Sequence, residues 1–241
     1  MQPRELIEQL EAHPVLPSGT DERFNGYGVM GLPFRSGHIL ALRRFSATSI
    51  GPGYTSVWHR APNGDWIFYT NVGASVSCPR YYGAAARDAV ETPIDLEWLA
   101  SDRLHVRIAV APLEWDVTVA PTPATRLMNF MGSVLPGSAW RNSTVLSAMS
   151  LVAGPILRAG RVGLQGAAPN GQHFIANPKL IWAVVATRAR VAGEDLGPAG
   201  PVEPQAHLGD FWIPQRGIFA IGEAFFDAFD PSRHSASFVH S

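Results

Sequence analysis

Three groups of side chains could carry chemistry. The first is Trp58-His59-Arg60 with Tyr69. They lie on the segments YTSVWHR and DWIFYTNV, separated by Asn63-Gly64, and both of those residues tolerate the positive φ of a tight hairpin turn. A hairpin there brings His59 and Tyr69 near one another across the ladder. His59 would then be available as a general acid or base, or would stand as an ordinary strand residue beside a core tryptophan. The second group is Asp95 and Glu97, with Glu114 and Asp116 on a later segment. Facing an apolar interior, such carboxyls are pushed up in pKa and can deliver a proton; facing water, they only solubilise the sheet. The third is Asp210-Phe211-Trp212 with Gln215-Arg216, in a late loop flanked by prolines. It would form either a pocket rim or a structural plug, with Trp212 closing one end of the fold.

Other chemistry is sparse. The eight histidines are scattered, and none has the i, i+2 spacing that places two ligands on one strand face. The chain has no HExxH, Walker loop, GxSxG or GxGxxG after a strand. Neither a metal nor a cofactor is expected. Lys179 is the only lysine, so Schiff-base chemistry, or a bond to pyridoxal phosphate, would depend on that one residue. One cysteine, Cys78, excludes an internal disulfide.

The elements that would position these groups are mostly strands. PIDLEWL, RLHVRIAV and LEWDVTVA alternate: Leu96, Trp98, Trp115 and Val117 face one way, and the acids face the other. Alternation of this kind marks a half-buried antiparallel sheet. Residues 3–13 read as a short amphipathic helix, and residues 14–36 as irregular. The barrel strands are placed at 37–120 and 161–226. Between them the period turns helical, and residues 124–160 are predicted to form a helical hairpin inserted into the barrel, with Leu127, Met128, Met131 and Val134 on one stripe. Residues 231–241 read as a disordered tail. The expectation is a single domain over 1–241, mainly β: an antiparallel barrel with a helical hairpin insertion.

With 46% hydrophobic and 16% charged residues, the chain has ample material for a core. A net charge of −1 offers little to the phosphates of nucleic acid. No signal-like segment starts the chain and no apolar run is long enough to span a bilayer, so a cytoplasmic protein is expected. Charge is unevenly placed. No acid occurs between Asp116 and Glu194, a stretch that holds the helical region together with Arg126, Arg141, Arg158, Arg161, Lys179, Arg188 and Arg190. Apolar helices among arginines suit peripheral contact with an anionic membrane, at its inner face. They also suit a lid, since methionine adapts to varied ligands, or plain packing on the sheet.

The hairpin YTSVWHRAPNGDWIFYTNV and the paired strands IDLEW and LEWDV resemble the lipocalin-like (calycin) proteins, within them the carotenoid hydratase and tocopherol cyclase type. That resemblance implies a barrel holding a hydrophobic, isoprenoid- or lipid-like small molecule. It also implies a route of acid–base chemistry without a cofactor, in which a carboxylic acid protonates an alkene and aromatic faces stabilise the cation. On this reading His59, Tyr69, Asp95, Glu97 and Asp210 are the candidate catalytic groups. Trp58, Trp98, Trp115, Met128, Met131, Trp212 and Arg216 would line the ligand site. The alternative is a non-enzymatic lipid carrier, or a membrane-surface interaction protein using residues 124–160.

Overall fold

Apolar residues alternating with polar ones, or with apolar residues of a second kind, require a sheet with two distinct faces. In a computed structural model describing residues 2–235, that sheet dominates the molecule. Helix α1 (Pro3–Ala12) is followed by β1 (Glu22–Val29), β2 (Leu32–Pro33), β3 (Ile39–Thr48), β4 (Tyr54–Arg60) and β5 (Trp66–Thr70). The short helix α2 (Pro79–Tyr82) leads to β6 (Asp88–Glu91), β7 (Asp95–Trp98), β8 (Arg103–Ile108) and β9 (Leu113–Ala120). Helices α3 (Pro123–Ser133) and α4 (Ser143–Leu157) come next. The chain ends with β10 (Gln165–Ala167), β11 (His173–Val191), β12 (Glu194–Asp195), β13 (His207–Leu208), β14 (Phe211–Trp212) and β15 (Ile218–Phe226).

The strand order is β6-β5-β4-β3-β1-β15-β11-β9-β8-β7, so β6 and β7 are edges that do not meet. All pairs are antiparallel except β5 with β6, which is parallel. The expected closed antiparallel barrel is therefore corrected to an open, curled, mixed sheet. Residues from both arms meet in one core inside the curl: Leu40, Leu42, Val57 and Tyr69 from one arm, Val106, Trp115 and Val117 from the other. Trp98, Trp182 and Phe219 fill the space between, with Phe219 edge-on to both tryptophans' neighbourhood at centroid distances of 6.0 and 6.1 Å. The interior of the curl is thus lined by buried side chains from both arms.

Strand β1, at the centre of the sheet, falls where the sequence reads as irregular. Its glycines explain the difference. A Cβ at Gly26 would lie 2.0 Å from the Arg44 carbonyl oxygen, and one at Gly28 would lie 1.9 Å from that of Leu42. Glycine here permits close backbone approach beside a register shift at Asn25/Gly26 rather than breaking the strand. The tail expected to be disordered at 231–241 lies outside the described residues from 236 on. Its described part forms a turn, with Asp230 N donating to His234 Nδ1 and His234 buried.

Candidate functional site

Because side chains alternate, each central strand sends one set of residues into the core of the curl and the other set to the opposite face. On β15, Phe219 and Ile221 enter the core, while Ile218, Ala220, Gly222 and Ala224 face the other way. On β3, Leu40 and Leu42 enter the core, and Arg43 and Phe45 face outward. That outer face is roofed by α2, α3, α4 and the β13–β14 hairpin. Beneath the roof is a cavity of about 170 Å³. The cavity thus lies behind the sheet, not within a barrel.

Aromatic side chains form most of one wall. Trp58 has Phe68, Tyr82 and Phe211 around it at centroid distances of 5.0, 4.9 and 5.9 Å. Tyr81 stacks on Phe226 at 3.7 Å. The roof supplies Met128, Trp140, Met149, Ala153 and Leu157. Helix α3 is started by a capping box at Thr122 and Thr125. It is tied to β11 by Asn129, whose side chain donates to the Ile181 carbonyl at 3.0 Å and accepts from its N–H at 2.9 Å. Helix α4 is capped by Asn142. Helix α2 is held by Glu22 on β1, which accepts from both Arg80 Nε and Nη2, from the Tyr81 hydroxyl and from Gln172. Burial works to raise the Glu22 pKa, but the hydrogen bonds from Arg80, Tyr81 and Gln172 more than offset it, so the carboxyl stays below its ordinary value.

Few lining groups are polar. Cys78 lies beside Tyr54 Oη at 3.4 Å, and burial keeps the thiol protonated despite Tyr54 and Arg43. Burial also pushes the Tyr54 and Tyr82 hydroxyls upward, so both are neutral hydrogen-bonding groups at physiological pH. The single lysine lines the cavity, with Lys179 Nζ paired to Glu223 Oε2 at 3.2 Å. Arg43 is buried among the aromatics, its guanidinium over Trp58 at 4.6 Å and over Phe211 at 5.4 Å.

Of the residues expected to act, Trp58, Met128 and Trp212 line the cavity. The others do not. Met131 packs in the roof's own core. Trp98 and Trp115 belong to the core of the curl, where Trp115 Nε1 donates to Thr187 Oγ1 at 2.9 Å. Asp95 and Glu97 are exposed on the edge strand β7, so alternation sends them to water. Arg216 is exposed. Asp210 accepts from Ala167 N at 2.8 Å and lies in an outer groove that shares Val162, Gly163 and Trp212 with the cavity. Tyr69 projects into the core of the curl, because it stands opposite Val57 and not opposite the cavity residue Trp58.

His59 meets His38, not Tyr69. The two rings stack at 5.2 Å, with His38 Nδ1 and His59 Nε2 2.9 Å apart. Burial, reinforced by the neighbouring His38, lowers the His59 pKa from 6.5 to about 4. The pair is a structural contact with a pH signature. Above pH 6.5 both folded and unfolded chains hold His59 neutral, and the native contact is fully available. Between pH 6.5 and about 4 only the unfolded chain gains the proton, so stability falls as pH drops. At 1.36 kcal/mol per unit, the loss reaches up to about 3 kcal/mol. Urea midpoints measured at pH 7 and pH 4.5 are expected to differ accordingly, and His59→Gln should flatten that difference.

Arg43, Tyr54, Cys78, Tyr81, Tyr82 and Met149 are cavity residues that sequence reasoning passed over. For Arg43 a signal existed. In HILALRRF, Ala41 and Arg43 share the face opposite Leu40 and Leu42, so an arginine falls within a strand that is buried on both sides.

No family model matches the chain, and no curated protein matches it. Among solved structures, a crystal structure of acetoacetate decarboxylase from Legionella pneumophila aligns over 93% of this chain and 95% of its own, at 10% sequence identity and a TM-score of 0.40. A likeness that distant carries no residue role and no activity across.

Proposed function

We propose that the chain binds a hydrophobic small molecule, isoprenoid- or lipid-like in character, in the cavity between the outer face of the sheet and helices α2–α4. The supporting observation is an apolar, aromatic-walled space of about 170 Å³ between the sheet and its helical roof. A dry cavity of about 150 Å³ is large enough for a benzene ring, so the occupant is compact: an aryl group or a short branched chain. The acids first considered for proton transfer, Asp95, Glu97 and Asp210, lie outside this space. Binding is therefore the primary reading, and any catalysis would draw on lining groups such as Lys179 and Glu223. Toluene titrated calorimetrically should bind saturably to the native chain and fail to bind once the cavity is filled. Equal heats from both would overturn the reading.

A second reading is carried by the outer surface of the same roof. Phe130 on α3 is 65% exposed and Leu151 on α4 is 77% exposed, with Leu127, Val134 and Val152 beside them. Arg126 stands one turn before Phe130, and Arg158 ends α4 two turns after Leu151; neither makes an ion pair among the described residues. Apolar side chains rimmed by unpaired arginines, with no acid from 117 to 193, complement an anionic bilayer surface. No helix among the described residues is long and apolar enough to cross a membrane, so the contact would be peripheral. Vesicles of phosphatidylcholine with phosphatidylserine should carry the protein upward in a flotation gradient at low salt. Phosphatidylcholine alone, or the Phe130→Ser/Leu151→Ser double variant, should not. Absence of flotation with the anionic vesicles would remove this reading.

A further inference from the structure

Among the described residues, Arg43 is the one cation buried against the cavity's aromatic wall, with 6% of its surface exposed. Three of its five N–H donors are engaged. Nη1 donates to the Val29 and Leu42 carbonyls at 2.6 and 2.9 Å, and Nη2 donates to the Met30 carbonyl at 3.1 Å. The pairing of β1 with β3 ends at Tyr27 and Arg44, and these carbonyls lie just past it, so the side chain has a structural duty. That duty does not neutralise it. No carboxylate is among the groups acting on Arg43; the nearby titratable groups are Cys78, Tyr82 and Tyr54, which burial holds in their neutral forms. The Nε–H and one Nη2–H have no acceptor among the described residues. Trp58 Nε1, in the ring beneath the guanidinium, acts on the Cys78 thiol but makes no hydrogen bond of ordinary geometry.

A buried guanidinium without a counter-ion is costly, and such a charge is normally paired or placed to meet a ligand. Here carbonyl dipoles and two aromatic faces hold the cation, and its side chain lines the apolar cavity. The neutral Tyr54 and Tyr82 hydroxyls beside it can also donate to an acceptor. The planar fork of an arginine fits a carboxylate with two parallel hydrogen bonds. The lysine offers no rival anchor, because Glu223 already pairs with it.

We propose that the ligand is a compact apolar carboxylic acid, whose carboxylate is received by Arg43 while its hydrocarbon body lies between Trp58, Tyr82 and the methionines of the roof. The inference rests on the cavity-binding reading above and narrows its ligand class. Titration of the full chain with hydrocinnamate, hydrocinnamyl alcohol and toluene separates the two. The carboxylate is expected to bind at least about tenfold more tightly than the alcohol, since a charge-assisted pair adds to the same apolar contact. Arg43→Met should remove that preference while retaining toluene. Arg43→Lys, which keeps the charge but loses the fork, should retain part of it. Should Arg43→Met fail to fold, the comparison of acid with alcohol on the native chain still decides. Equal affinity for acid and alcohol overturns the anionic-head inference and leaves the cavity reading standing. Failure of all three probes to bind overturns the cavity reading itself.

Discussion

Ala153→Phe should abolish toluene and hydrocinnamate binding, with affinity falling more than about a hundredfold, while the folded chain keeps or gains stability. Ala153 sits on α4 with its side chain against the cavity, and it is 4% exposed. A phenyl ring built from that position takes up most of a space of about 170 Å³, because about 150 Å³ is what a benzene ring requires. Filling a pre-existing void commonly adds about 0.5–2 kcal/mol. A purely structural defect would lower stability together with binding. The combination of lost binding with an unchanged or raised urea midpoint is therefore diagnostic. Retained toluene binding in a folded Ala153→Phe protein would place the ligand elsewhere.

Trp115→Ala should cost about 3–5 kcal/mol of unfolding free energy, the range for deleting a large buried aromatic. Trp115 is fully buried where the two arms of the sheet meet, and its indole N–H donates to Thr187, whose hydroxyl donates in turn to the Asp116 carbonyl at 2.8 Å. The substitution leaves a void in the core of the curl and removes the Thr187 side chain's indole partner. Toluene affinity in the folded fraction should stay near that of the native chain, since Trp115 lies on the other side of the sheet from the cavity. Denaturant unfolding and calorimetry on the same preparation check both halves. A loss under about 1 kcal/mol would mean that the two arms do not share one core.

Local periodicity made part of this architecture legible. Alternation in IDLEW and LEWDV correctly separates Trp98 and Trp115 from the acids, and the structure sends Asp95 and Glu97 to solvent for that reason. The Asn63-Gly64 turn marks the hairpin of β4 and β5. What alternation cannot supply is which face of a doubly buried strand meets a filled core and which meets a cavity. Trp58 and Trp115 are alike in sequence pattern, yet one lines the cavity and the other fills the curl. Closure was also illegible, because whether β6 meets β7 depends on the accumulated twist and curl of the whole sheet. Strand β1 was hidden by Gly26 and Gly28, residues that ordinarily punctuate turns and here allow close approach to β3. The α2 segment, with Cys78, Tyr81 and Tyr82, has too few residues to show a period. It is positioned by Glu22, which is 58 positions away from Arg80 in the chain.

The cavity itself is the claim on which the ligand class, the role of Arg43 and the effect of Ala153→Phe all depend. A crystal structure of the native protein under xenon pressure tests it without assuming any ligand, since apolar voids of this size take up xenon. Xenon density between Trp58, Tyr82, Met149 and Ala153 is the predicted result. A roof packed directly onto the sheet, with no xenon in that space, would contradict it.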